Sequence, residues 1–167
     1  MRSRERVETK KRCLGEEMEA LRDAIRDSNL KAFKKILNGK NNPDSLFDID
    51  AKDVGRGMAL LHLAIMHKNP EICSYLLNLG ADINIKTTKS GSTPLMLCAS
   101  TGENACCKVL LSHGSCSSKI KNAAQQTALD LATLRRKHEI AILIREHDTA
   151  ENEKRVNKLR EKVRMSL

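Results

Sequence analysis

The chain repeats itself at a fixed interval, and this limits what it can fold into more than any other feature. Three segments superpose without gaps: Ala59-Leu60-Leu61-His62-Leu63-Ala64, Thr93-Pro94-Leu95-Met96-Leu97-Cys98 and Thr127-Ala128-Leu129-Asp130-Leu131-Ala132, each starting 34 residues after the last. The same offset carries Cys73 onto Cys107, Leu76-Leu77 onto Leu110-Leu111, and Gly80 onto Gly114. It also carries Asp48-Ile49-Asp50-Ala51-Lys52 onto Asp82-Ile83-Asn84-Ile85-Lys86. A period of this size marks units that cannot bury an apolar face alone but can when stacked.

Each unit reads as a helical hairpin. The first helix opens at Thr93-Pro94 or Thr127, where Thr caps the free amides and Pro in the first helical position removes no needed donor. The second carries Ile72, Cys73, Leu76 and Leu77 on one face. Gly80 and Gly114 then fall where a left-handed residue ends a helix. Ala81-Asp82-Ile83-Asn84 follows as an extended run into a polar turn, Thr87-Thr88-Lys89-Ser90-Gly91. An outer unit is visible at an offset of 40, taking Leu21, Ala24, Ile25, Ile36 and Leu37 onto Leu61, Ala64, Ile65, Leu76 and Leu77. The larger offset places an insertion around Asn38 to Phe47, with its turn formers at Asn41-Asn42-Pro43-Asp44-Ser45. Arg22 and Asp23 of this unit read as part of a polar cap. At the other end, Ile140, Leu143 and Ile144 continue the second-helix pattern.

Aromatic residues make up only 2% of the 167 residues, against 40% hydrophobic, so the core must be built from Leu, Ile, Ala, Val, Met and Cys. That suits thin layers of stacked helices in one domain. No apolar run approaches the ~20 residues of a membrane span, and the charged stretch Met1 to Arg12 lacks the apolar segment of a secretory signal. The expected location is the cytosol or nucleus, with Lys10-Lys11-Arg12 as a short match to a nuclear import signal. The six cysteines, Cys13, Cys73, Cys98, Cys106, Cys107 and Cys116, show no zinc spacing. Most fall on apolar helical positions, where free Cys packs as a small hydrophobe. Cys13 and Cys116 are the expected reactive thiols, with Cys73, Cys98 and Cys107 shielded.

The formal net charge of +9 is distributed rather than blocked. The densest excess lies in 119–138, where Lys119, Lys121, Arg135, Arg136 and Lys137 stand against Asp130. Such spreading does not describe a nucleic-acid tail.

Several of these parts together resemble the ankyrin repeat: Thr93-Pro94-Leu95 with Gly102, Leu110-Leu111 and Gly114, and Leu61-His62-Leu63-Ala64 with Glu71, Leu76-Leu77 and Gly80-Ala81-Asp82-Ile83-Asn84. The resemblance covers roughly residues 20 to 146, in units of about 20–53, 54–87, 88–121 and 122–147. It implies an all-α repeat array, an ankyrin-repeat solenoid of antiparallel helix pairs with short β-hairpin fingers. Basic helical extensions flank it, at 1–19 and at 148–167. The sequence departs from the pattern at Ala59-Leu60, where the family has Thr-Pro, so this helix loses a cap hydroxyl. It implies that His62 is structural, bonded to the neighbouring finger.

In this family partners are gripped by finger tips and by exposed ends of the first helices. Mapped here, the tips are Lys52, Asp53, Val54 and Arg56, then Lys86, Thr87, Thr88 and Lys89, then Lys119, Lys121 and Asn122. The tip lysines are expected to be solvated. The first-helix positions are Met66, His67, Ser100, Thr101, Leu134 and Arg135. Exposed Met and Leu beside Lys and Arg would give an apolar centre with a basic rim. In the tail, Asp148-Thr149-Ala150-Glu151 resembles a capping box, and Val156, Leu159 and Val163 follow at helical spacing. This predicts a separate amphipathic helix, Ala150 to Met165, packed back on the array as a cap or, as the alternative, serving as a partner-binding helix.

No nucleophile motif, phosphate-cradling loop or paired carboxylates point to catalysis, and no cofactor or metal motif is found. Asp48 and Asp50 lack the third ligand of an EF-hand. The function expected is a non-catalytic protein–protein interaction module, an adaptor or inhibitor. Its partner is a protein, with an acidic surface suiting the net charge; no membrane is expected, and the chain alone is expected to be a monomer. The alternative is binding of nucleic acid or another polyanion through the finger tips and termini. The near absence of stacking aromatics weighs against it.

Overall fold

The computed structural model describes residues 18–38, 48–53 and 56–165. The readings made for Met1 to Arg12, Cys13, the insertion at 39–47 and Val54 lie outside those residues. Among the described residues there are eight helices and no strand. They are α1 (18–26), α2 (Leu30–Asn38), α3 (Leu60–Met66), α4 (Pro70–Asn78), α5 (Pro94–Thr101), α6 (Asn104–Ser112), α7 (Ala128–Leu134) and α8 (His138–Met165). First helices α3, α5 and α7 pack side by side in one layer, and second helices α4, α6 and α8 in the other. One contiguous core runs through the stack, from Leu21, Ile25 and Phe33 through Leu61, Ile72 and Leu76 to Leu110, Ile140 and Ile144. Truncating a fully buried leucine such as Leu76 or Leu110 to Ala would cost ~2–5 kcal/mol.

The helix starts follow the repeat register. Thr93 accepts the Met96 amide at 3.3 Å and Thr127 accepts that of Asp130 at 3.3 Å, while Pro94 opens α5. Ala59 occupies the same position before α3, in the same extended conformation (φ −78°, ψ 165°), with no side-chain bond to give. At the third helical position each unit has a side chain that reaches back to the cap amide. His62 Nδ1 accepts Ala59 N–H at 3.3 Å, Met96 Sδ accepts Thr93 N–H at 3.4 Å, and Asp130 Oδ2 accepts Thr127 N–H at 2.9 Å.

The turn between the two helices of each unit needs a left-handed residue. Gly102 supplies it at φ 87°, but the equivalent positions carry Ser28 (φ 53°), Lys68 (φ 59°) and Arg136 (φ 55°). Helix exits differ from the sequence expectation at one place. Gly80 is left-handed at φ 90° after α4, whereas Gly114 is not among the positive-φ residues. The chain leaves α6 through an extended His113 (φ −84°, ψ 101°), which turns it away before a left-handed closure can form.

Neighbouring units are stitched by polar contacts at register positions. Asp50 accepts the Asp82 amide at 3.0 Å; Asn84 donates to Ser115 O at 2.8 Å and accepts the Ser117 amide at 2.9 Å; Ser118 donates to Asp148 Oδ1 at 2.5 Å. Residues 50, 84 and 118 are spaced by 34, so one position in each of the first three units bonds to an element that follows it. Asn69 Nδ2 donates to Ile25 O at 2.6 Å across the first junction, which the edge-on contact of Phe33 and Tyr75 also spans (centroids 6.4 Å apart).

The C-terminal segment corrects the sequence reading. No separate helix starts at Ala150; α8 runs unbroken for 28 residues. The capping-box residues are used otherwise, Thr149 Oγ1 donating to Glu146 O at 2.8 Å and Asp148 accepting from Ser118. With no Gly or Pro to stop it, the segment rich in Glu, Lys, Arg and Leu continues the helix. Nor does it fold back as a cap: residues 150–161 are exposed throughout, Val156 and Leu159 included.

Candidate partner-binding face

The fingers are tight turns rather than two-stranded hairpins. Backbone bonds close them: Asp53 N–H to Met58 O, Thr87 N–H to Ser92 O at 2.9 Å, and Asn122 N–H to Gln126 O at 3.0 Å. A short polar side chain at the entry of each turn then accepts an amide at its far end. Asp53 Oδ1 takes Met58 N–H at 2.7 Å and Arg56 N–H at 3.2 Å; Thr87 Oγ1 takes Ser92 N–H at 3.0 Å; Asn122 Oδ1 takes Gln126 N–H at 2.9 Å. Asp53, Thr87 and Asn122, expected at the contact surface, are therefore the closures of their own fingers. Asp53 and Thr87 are buried and Asn122 is half-buried.

Successive fingers also bond to one another, Thr88 N–H to Gly57 O and Ala123 N–H to Ser90 O, both at 3.0 Å. The first approach requires Gly57 (φ 66°), since a Cβ there would lie 2.5 Å from Thr88 Cβ. Lys86 is exposed, yet its Nζ donates to Lys121 O at 3.1 Å on the next finger, so it is not the freely solvated side chain expected. Lys52, Arg56, Thr88, Lys89, Lys119 and Lys121 present exposed side chains.

On the first helices, Met66 and Ser100 are half-buried, and His67, Thr101, Leu134 and Arg135 are exposed. Ser100 and Thr101 hydroxyls donate to Met96 O at 3.0 Å and Leu97 O at 2.9 Å within α5. Leu134 is 65% exposed, an uncovered apolar side chain at the position equivalent to Met66 and Ser100.

The structure brings Arg56, Met66 and His67 together in one groove of about 610 Å3, with Leu63 beside Met66 and with Glu19, Arg22, Asp23 and Arg26 lining it too. Arg22 approaches the buried Asp53 carboxylate at 3.9 Å, and Arg26 pairs with Asp23 at 2.5 Å in an exposed pair that contributes little to stability. Sequence reasoning had placed Arg22 and Asp23 in a polar cap and had not named Arg26. The signal existed: at the offset of 40, Arg26 occupies the position of Met66.

His62 is structural. It is fully buried, its Nε2 facing Ser92 O at 3.2 Å while Nδ1 accepts from Ala59, an arrangement that requires the Nε2–H tautomer. Burial lowers its pKa to about 4. The five described cysteines, Cys73, Cys98, Cys106, Cys107 and Cys116, are free and buried, and the burial of Cys116 corrects the expectation that its thiol is reactive. Burial, chiefly, pushes Cys107 and Cys116 up to about 12.

Stacked helix pairs with a file of finger turns on one side define a protein built for binding along a surface rather than in a cavity. The family model for ankyrin repeats, described as three copies, matches residues 5–87 and 61–156. The chain belongs to the ankyrin-repeat family, whose members are protein-interaction modules. It is similar to the ADP-ribosylation factor GTPase-activating protein AGD2 of Arabidopsis thaliana, 41% identical over 66 residues that cover 40% of this chain and 8% of that protein. It is also similar to the target of rapamycin complex 2 subunit AVO2 of Saccharomyces cerevisiae, 39% identical over 93 residues covering 54% of this chain and 20% of that one. The chain thus spans a fifth or less of either relative. No helix among the described residues is long and apolar enough to cross a membrane.

Proposed function

We propose that the chain is a non-catalytic adaptor or inhibitor that grips an acidic protein segment along the finger and first-helix face. The groove at Leu63, Met66 and His67 carries this reading. Its lining sets the apolar side chains of Leu63 and Met66 beside three guanidinium groups, Arg22, Arg26 and Arg56, against two carboxylates, Glu19 and Asp23, and exposed Lys52, Lys89, Lys119 and Lys121 extend positive charge along the fingers. An acidic segment with one or two apolar anchors suits that surface in charge and in hydrophobicity. The cytosol or nucleus is part of the same proposal, supported by the free thiols of the core.

The test is site-specific photo-crosslinking in cells, with the crosslinker at Met66 or His67 and, as a control, at exposed Lys108 on α6. A protein captured from the first two positions and not from the third is expected. Arg26→Glu with Arg56→Glu should then weaken that complex at least tenfold. Capture from Lys108 alone would move the binding face to the second helices. Binding of nucleic acid with a steep salt dependence, already present near about 50 mM salt, would replace the protein partner by a polyanion.

A further inference from the structure

We propose that His147, Asp148 and Glu151 form a binding site for a divalent transition metal ion, of which Zn2+ is the representative, on the turn of α8 that leaves the array. His147 Nδ1 is buried and has no hydrogen-bond partner among the described residues. An imidazole nitrogen removed from water without a partner is a cost the fold carries for no structural return. Its nearest charged neighbour, Asp148 Oδ1, lies 3.7 Å away, too far for a hydrogen bond but suited to two ligands sharing one ion. Glu151 stands one helical turn beyond His147, on the same side of α8. One donor atom from each of the three residues lies within 4.8 Å of the others.

Metal–ligand bonds of ~2.0–2.2 Å set ligand pairs up to about 4 Å apart, so a modest closure completes the set. Glu151 is exposed and can supply that movement by a change of rotamer. Asp148 is already oriented, because Ser118 Oγ donates to its Oδ1 at 2.5 Å from the neighbouring loop. Orientation of a ligand by an outer partner is a regular feature of metal sites. One imidazole nitrogen with two carboxylate oxygens suits Zn2+ and its neighbours in the first transition row better than Ca2+ or Mg2+, which take all-oxygen sets. Three protein ligands leave a position for water or for a ligand from another chain. Occupancy would tie the exposed part of α8 to the loop that holds Ser118.

The experiment uses the whole chain, stripped of metal and titrated with ZnCl2 by calorimetry, then with CoCl2 by absorption. Saturation at one equivalent is expected, and a Tm higher by roughly 5 °C or more when Zn2+ exceeds its Kd a hundredfold. Glu151→Gln, a change at an exposed position, should weaken binding ~10–100-fold without altering the metal-free Tm, and His147→Asn should weaken it at least as much. The cobalt spectrum should lack sulfur-to-metal charge transfer. The proposal is overturned by failure to saturate at one equivalent, by unchanged affinity in Glu151→Gln, or by a sulfur band, which would assign the ion to the cysteines.

Discussion

At the scale of single residues, the third helical position shows how one task is met by three chemistries. His62, Met96 and Asp130 each take the amide of their cap residue, at 3.3, 3.4 and 2.9 Å. Only the histidine is fully buried and titratable, and this makes it a point of acid sensitivity. Its pKa is near 6.5 when unfolded and about 4 when folded, so acid favours the unfolded chain. Its contribution is full above pH 6.5 and is lost as pH falls toward 4, a total of ~3 kcal/mol. Unfolding free energies of the wild type and His62→Gln, compared at about pH 7.5 and about pH 4.5, should show the steeper acid loss in the wild type. Equal slopes would mean that His62 titrates as if exposed. The neighbouring cap offers a second test. Ala59→Thr should stabilise the fold by ~1 kcal/mol, read as a higher denaturant midpoint with an unchanged m-value, since Ala59 has the conformation of Thr93 and Thr127. A loss of that size would show that the buried site before α3 has no room for the hydroxyl that α5 accommodates.

At the scale of elements, α8 divides into a part that packs and a part that does not. Ile140, Ala141 and Ile144 are buried against the stack, while every residue from 150 to 161 is exposed. Ending the chain after Asn152 should therefore lower the helical circular dichroism and leave the unfolding free energy unchanged within ~0.5 kcal/mol. A larger shift would mean that the tail stabilises the array. The helix pairs themselves were legible from spacing, because apolar residues at 34-residue intervals can be shared only by equivalent faces. The division of α8 was not legible, since Asp148 looks like a cap until Ser118, 30 residues earlier, is seen to donate to it. The fingers hid a second role in the same way. Asp53, Thr87 and Asn122 are polar residues in turns, which suits contact and self-closure alike, and only the turn geometry reveals the closure. Arg26 was legible through the offset of 40, but the longer first unit obscured its equivalence to Met66.

At the scale of the whole molecule, the near absence of aromatics is answered by sulfur. Cys73, Cys98, Cys106, Cys107 and Cys116 sit in one core, each at most 2% exposed. Raising a thiol from 9.0 to about 12, as at Cys107 and Cys116, cuts its thiolate share about a thousandfold. Native alkylation counted by mass spectrometry should leave all five unmodified on a timescale that labels the denatured chain fully. Rapid native labelling of Cys116 would reveal local opening beside α8. The same economy of rings has an optical consequence. The chain has one tyrosine and no tryptophan. Tyr75 lies across the junction of the first two units, edge-on to Phe33 and with Lys34 Nζ 4.9 Å from its ring centre. The tyrosine band of the near-ultraviolet dichroism and the tyrosine emission therefore report on that junction and are blind to the third and fourth units. Melting monitored through Tyr75 and melting monitored through backbone dichroism are two different observations, and any gap between them measures how independently the two ends of the stack come apart.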